Sequence, residues 1–195
     1  MRVLLSINVL LAMVPIFLLL VFPLMGLFEN DIKYLLYIPA YYINEFINLS
    51  LKRISNRFVP YTLTKRPRNY GEVTEDDKTY FMGTGLIPEV YSTSKVKKQK
   101  ITYGFPSGHS QTMATFATFG TLFILHRNSH NNRNFEVEHG LQIFSLWIIA
   151  LSVLWQRWYS KCHTPLQIFL GALVGISLGF AFFEIYKILD IDSKL

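Results

Sequence analysis

The chain has 195 residues, of which 51% are hydrophobic and only 16% charged, with a formal net charge of +6. That balance is too apolar for an ordinary soluble domain of this length, and its single cysteine, Cys162, excludes an internal disulfide.

Residues 3–28 carry no charge until Glu29, long enough for one bilayer crossing of about 20 residues. The run exceeds a signal-peptide core of about 7 to 15 residues and has no small-x-small cleavage site, so a retained helix is expected rather than a cleaved leader. A second apolar stretch, 33–54, is interrupted by Asn44, Glu45, Asn48 and Lys52. The spacing of Asn44, Asn48 and Lys52 at i, i+4, i+8 places them along one stripe of a helix. Polar groups at membrane depth normally face a bundle interior or a wet cavity; the alternative is an interfacial helix with snorkelling side chains. The sequon Asn48-Leu49-Ser50 falls inside this stretch and is not expected to carry a glycan.

Residues 55–106 form the long polar segment, punctuated by Pro60, Pro67, Pro88 and Pro106, and are expected to be a loop with at most short helices. Lys95, Lys97, Lys98 and Lys100 fit a solvated basic face better than a headgroup contact. Three more apolar stretches follow at 108–126, 141–156 and 165–187. The connection at 127–140, with His126, His130 and His139 in and beside it, matches no common metal spacing. The expected architecture is therefore all-α: one polytopic transmembrane bundle of about five spans over residues 1–195, with its active site at one membrane face. Five spans place the N-terminus, the 55–106 segment and the 157–162 turn on the same side.

On that side Lys52, Arg66-Pro67, Pro106-Ser107-Gly108-His109 and Arg157 with His163 all sit where an apolar span meets a polar loop. A phosphoryl group in transfer spreads charge over three equatorial oxygens, and fixed cations and hydrogen-bond donors stabilise it. Lys52, Arg66 and Arg157 supply charge, the arginines as forks that match two oxygens at once. Ser107-Gly108-His109 opens a helix, where free N–H groups and the dipole favour an anion; Gly108 admits close approach and Ser107 adds a hydroxyl. Two histidines, His163 and His109, can divide the work of nucleophile and proton donor.

Pro106-Ser107-Gly108-His109 followed by Arg157-x5-His163 resembles the second and third signatures of the type 2 phosphatidic acid phosphatase superfamily, the lipid phosphate phosphatases. Lys52 and Arg66-Pro67 resemble the first. The resemblance spans residues 44 to about 175. It implies that His163 attacks phosphorus to give a phosphohistidine, that His109 protonates the departing oxygen and then activates water, and that Lys52, Arg66, Ser107, Gly108 and Arg157 hold the phosphate. It implies no metal or cofactor, and as partners a lipid phosphate or diphosphate and membrane lipids, with no nucleic acid.

Three positions depart from the pattern. In the family six residues separate the lysine from Arg-Pro, and at that position this chain has Val59; Lys52 takes the role, with Arg57 in reserve. Gln156 replaces the serine before the arginine. Gln167 stands where most members carry the aspartate that orients the nucleophile; its carbonyl could accept the imidazole N–H without adding charge, and Gln167→Asp is expected to retain or increase turnover. Asn44-Glu45-x-x-Asn48-x-x-Leu51-Lys52, Tyr103-Gly104-x-Pro106-Ser107-x-His109-Ser110-Gln111 and His163-Thr164-x-x-Gln167 are most similar to the dolichyl-diphosphatase branch. The implied reaction is hydrolysis of dolichyl or another polyprenyl diphosphate to the monophosphate, with phosphatidate or another lipid monophosphate as the alternative substrate and a catalytically silent lipid-binding homologue as the alternative class. Orientation stays open: 14 of the 19 Lys and Arg lie on the motif side, which the positive-inside rule puts in the cytoplasm, whereas the resemblance implies an endoplasmic reticulum membrane with the site facing the lumen.

Overall fold

A computed structural model describes residues 3–29, 35–67, 70–75, 78–81, 91–92, 103–130 and 137–192. In chain order these form α1 (Val3–Glu29), α2 (Tyr37–Phe58), α3 (Tyr61–Thr64), β1 (Glu72–Glu75), β2 (Lys78–Phe81), β3 (Tyr91–Ser92), α4 (Gly108–His130), α5 (Val137–Tyr159) and α6 (Pro165–Asp192). The five long helices fall on the five apolar stretches, but most outlast them: α5 begins four residues before 141 and ends three after 156, and α2 continues to Phe58.

Among the described residues three helices are long and apolar enough to cross a membrane, α1 over Val3–Val21, α5 over Val137–Tyr159 and α6 over Pro165–Leu189. By length and composition α2 and α4 are not among them. The physical reason lies in α4 and α2. From Gln111 to Thr118 every residue of α4 is buried, three threonines and a glutamine among them, because α1, α2, α5 and α6 all pack on it. A helix enclosed by protein does not need an apolar outside.

The α4–α6 seam is held by small residues. A Cβ on Gly171 would lie 2.5 Å from the Ser107 carbonyl oxygen, one on Gly175 would collide with the Gln111 carbonyl, and one on Gly179 would lie 2.6 Å from Thr118 Cβ. The two backbones therefore touch, as small-xxx-small stripes allow. On the opposite flank Met113, Phe116 and Ala117 of α4 meet Ala150 and Val153 of α5 in the apolar core.

The expected inward stripe of α2 is present. Asn44 Nδ2 donates to Thr112 Oγ1 at 2.8 Å, Gln111 Nε2 donates to Asn44 O and Oδ1 at 2.9 and 3.0 Å, and Asn48 Nδ2 donates to Gln111 Oε1 at 2.8 Å. A backbone carbonyl can only accept, so Gln111 must offer its nitrogen to Asn44 O. Its oxygen then takes Asn48 Nδ2, which turns Asn48 Oδ1 the other way. Asn48 Oδ1 is left buried without a hydrogen-bond partner, while the other bonds of the network fix the register of α2 against α4.

The 55–106 segment is more ordered than a loop. β1, β2 and β3 form an antiparallel sheet with Val73 opposite Tyr80. Both of those side chains are buried, and Val73 packs with Ala12 and Tyr159. Glu75 accepts hydrogen bonds from Leu4 N at 2.9 Å and Leu5 N at 3.0 Å, a carboxylate at the positive end of α1. Lys95, Lys97, Lys98 and Lys100 lie outside the described residues.

Candidate active site

His163 stands in the tight turn from α5 to α6. Ser160 N donates to Gln156 O at 2.9 Å, Lys161 N to Trp158 O at 2.9 Å, and His163 N to Arg157 O at 3.2 Å, while Lys161 takes a left-handed φ of 54°. His163 Nδ1 lies 2.8 Å from Gly104 O. Because the carbonyl can only accept, Nδ1 carries the proton and Nε2 keeps its lone pair. Arg66 Nη1 lies 3.1 Å from that Nε2 and also donates to Cys162 O at 2.7 Å.

His163 is buried, and burial pushes its pKa well below the ordinary histidine value; Arg66, Arg157, Lys52 and His109 press in the same direction. A neutral imidazole attacks phosphorus through its Nε2 lone pair; here that lone pair accepts the Arg66 Nη1–H, so the guanidinium must turn to the phosphoryl oxygens for attack. Of these cations Arg66 lies against the ring itself, while Arg157 and Lys52 act on it through their charge.

Arg66 is placed by the chain on either side of it. Gly104 N donates to Thr64 O at 2.8 Å, and Lys65 pairs with Tyr103, so residues 64–66 run beside 103–104. No side chain fits at 104: a Cβ there would lie 2.6 Å from Gln167 Oε1, 2.9 Å from Arg66 Cγ and 3.0 Å from His163 Nδ1.

Gln167 has a different role from the one expected. Its Nε2 donates to Leu63 O and Lys65 O, both at 2.8 Å, and its Oε1 accepts from Thr164 N at 3.3 Å. It ties α6 to residues 63–65, next to Arg66, and the Gly104 carbonyl accepts the imidazole N–H instead. An aspartate has no N–H for those two carbonyls, so the expectation that Gln167→Asp preserves turnover loses its basis.

At the start of α4, Ser107 Oγ accepts from Ser110 N at 3.4 Å and Ser110 Oγ at 2.9 Å, while Ser107 N donates to Gln167 O at 3.0 Å. Ser107 is therefore an N-cap as much as a ligand candidate; its hydroxyl proton is what remains to offer an anion. The Phe105–Pro106 peptide is cis. A Cβ on Gly108 would sit 3.0 Å from Asn48 Oδ1 and 3.7 Å from Lys52 Nζ. Lys52 thus reaches the first turn of α4, whereas Arg57 is exposed and lies over the Phe58 ring at 5.7 Å.

His109 Nε2 lies 3.1 Å from Ala12 O of α1, so Nε2 carries a proton and Nδ1 is the atom left to exchange one. Arg157 is 1% exposed, with Nη1 3.5 Å from Gln156 Oε1. Gly104 and the carbonyls of Ala12, Leu63 and Lys65 were not foreseen as supports. Backbone acceptors leave no trace in side-chain patterns; only Gly104, inside the Tyr103-to-Gln111 stretch, gave a signal.

Residues 33–189 match the PAP2 superfamily, so α1 lies outside the matched region. Dolichyldiphosphatase 1 of Dictyostelium discoideum is 32% identical over 101 residues, 52% of this chain and 43% of that protein. Dolichyldiphosphatase 1 of Mus musculus is 35% identical over 86 residues, 43% of this chain and 36% of that protein. The matched segments span less than half of either relative. No solved structure matches the chain.

Proposed function

This chain belongs to the PAP2 superfamily, and within it we propose a membrane lipid phosphatase that hydrolyses a polyprenyl diphosphate to the monophosphate and inorganic phosphate. The observation that carries this reading is the buried His163, with its Nδ1–H on Gly104 O and its Nε2 beside Arg66. The names of the two relatives favour a dolichyl-type diphosphate over phosphatidate.

In the proposed reaction His163 Nε2 forms a bond to the terminal phosphorus as the bridging P–O bond breaks. The lipid monophosphate leaves with a proton from His109 Nδ1, and the negative charge of the bound diphosphate favours the imidazolium that supplies it. Water then attacks the phosphohistidine, giving its proton to His109 and releasing inorganic phosphate. Lys52, Arg66, Arg157, the Ser107 hydroxyl and the N–H groups at Gly108 hold the phosphoryl oxygens. No metal is needed for these steps.

The test is phosphate release by the detergent-solubilised protein from polyprenyl diphosphate, polyprenyl monophosphate and phosphatidate. His163→Ala is expected to abolish turnover and the acid-labile phosphate on the protein. Wild-type turnover in that variant would defeat the mechanism, preference for phosphatidate would select the alternative substrate, and no release from any lipid would select a silent binding protein. We place the protein in the endoplasmic reticulum membrane with the site toward the lumen.

A further inference from the structure

α1 lies outside the matched residues 33–189, yet it supplies the carbonyl of Ala12 that accepts His109 Nε2–H at 3.1 Å. The chain leaves that carbonyl poorly held from within. Pro15 has no N–H to offer Leu11 O, so the helical ladder is broken beside Ala12 and the N-terminal half of α1 depends on its neighbours for its place.

β1 is such a neighbour and grips α1 twice. Val73, buried, packs on Ala12. Glu75 lies on the same face of the strand by the two-residue alternation and accepts from Leu4 N at 2.9 Å and Leu5 N at 3.0 Å. Leu4, Asn8 and Ala12 recur every four residues, so they share one side of α1, and the two grips are about 12 Å apart along it. Asn8, fully buried between them, donates Nδ2 to Leu4 O at 2.9 Å. The strand is anchored at its start as well, where Gly71 N donates to Ser160 O at 2.7 Å in the turn that presents His163. Residues 71–75 thus run from the turn of one histidine to the helix whose carbonyl faces the other.

Resting on the hydrolase reading above, we propose that β1 braces α1 against His109, with Val73 and Glu75 as positioning residues for its proton transfer. In the second half-reaction the water oxygen bonds to phosphorus, the bond from phosphorus to His163 Nε2 breaks, and a water proton passes to His109 Nδ1. A neutral imidazole has a lone pair at Nδ1 only when its single proton is on Nε2, the tautomer that the Ala12 carbonyl selects. Departure of the lipid monophosphate draws instead on the imidazolium, which carries both protons wherever its partner stands. Loosening the brace therefore slows hydrolysis of the phosphohistidine more than its formation. Lys52, Arg66 and Arg157 sit on α2, on the segment after α3 and on α5, so binding of the phosphate is carried by other elements.

Three variants test this in the full-length, detergent-solubilised protein with a polyprenyl diphosphate. Glu75→Ala removes both acceptors, Val73→Ala releases the second grip, and Glu75→Gln keeps the size and one acceptor oxygen, so that it retains the fold. Turnover is corrected for the folded fraction by size-exclusion chromatography. The expected kcat falls about tenfold in the two alanine variants, a fraction of the about 100-fold cost of a full ångström of misplacement, and less in Glu75→Gln. KM should stay within about twofold, and the share of protein carrying acid-labile phosphate at steady state should rise. Wild-type kcat in all three variants overturns the brace alone. A lower kcat without a gain in phosphorylated protein, or with KM raised in parallel, also overturns it, because α1 would then be only a wall of the pocket. If the wild type releases no phosphate from the diphosphate, the hydrolase reading falls and takes this one with it.

Discussion

Substituting Gly104 by alanine tests the geometry at its tightest point. Gly71 is the glycine with positive φ among the described residues, so alanine at 104 meets no backbone penalty and its effect is purely steric. The new methyl would lie 2.6 Å from Gln167 Oε1, 2.9 Å from Arg66 Cγ and 3.0 Å from His163 Nδ1, against an ordinary carbon contact of about 3.5 to 4.0 Å. Gln167 cannot yield freely, since three hydrogen bonds hold it, so the imidazole and the guanidinium must shift by about 0.5 to 1 Å. A misplacement of that size costs about 100-fold in rate, or about 2.7 kcal/mol of transition-state stabilisation. The overpacking itself costs about 1 to 3 kcal/mol of stability. We expect kcat to fall about 100-fold in a phosphate-release assay at saturating lipid diphosphate, with a smaller rise in KM because Lys52 and Arg157 keep their places. Gly179→Ala is the control: its methyl would lie 2.6 Å from Thr118 Cβ, nine residues along α4 from His109, and should lower thermal stability while leaving the kcat of the folded fraction near wild type. A folded Gly104→Ala protein with wild-type kcat would refute the role given to the Gly104 carbonyl.

Two further outcomes follow from electrostatics and burial. Because His163 is held neutral, protonating it requires a pH below the usual value of about 6.5; the acid limb of kcat/KM should therefore lie below that pH for two substrates of different phosphate pKa, and a common limb above it would contradict the assignment of His163 as nucleophile. For orientation, Cys162 is no probe, being 1% exposed with Ser160 Oγ donating to its sulfur at 3.2 Å, so the exposed Arg57 at the site end of α2 is replaced in Arg57→Cys. In sealed endoplasmic reticulum vesicles that thiol should resist an impermeant maleimide until the membrane is opened, and immediate labelling would put the site in the cytoplasm.

By itself the sequence determined the five helices, because apolar runs bounded by charge are local, and it determined which cations and histidines to watch, because each lies at a span end in a short motif. The small-residue stripe of Gly171, Gly175 and Gly179 was equally local and equally legible, at i, i+4, i+8. What only the tertiary structure decided is who holds whom. The imidazole of His163 is oriented by a carbonyl 59 residues away, that of His109 by a carbonyl of α1 97 residues away, and Gln167 spends its amide on the chain near Arg66. Every amino acid carries the same carbonyl, so no residue type announces these contacts; they exist because the first half of α4 is buried and its start meets α1, α2 and α6.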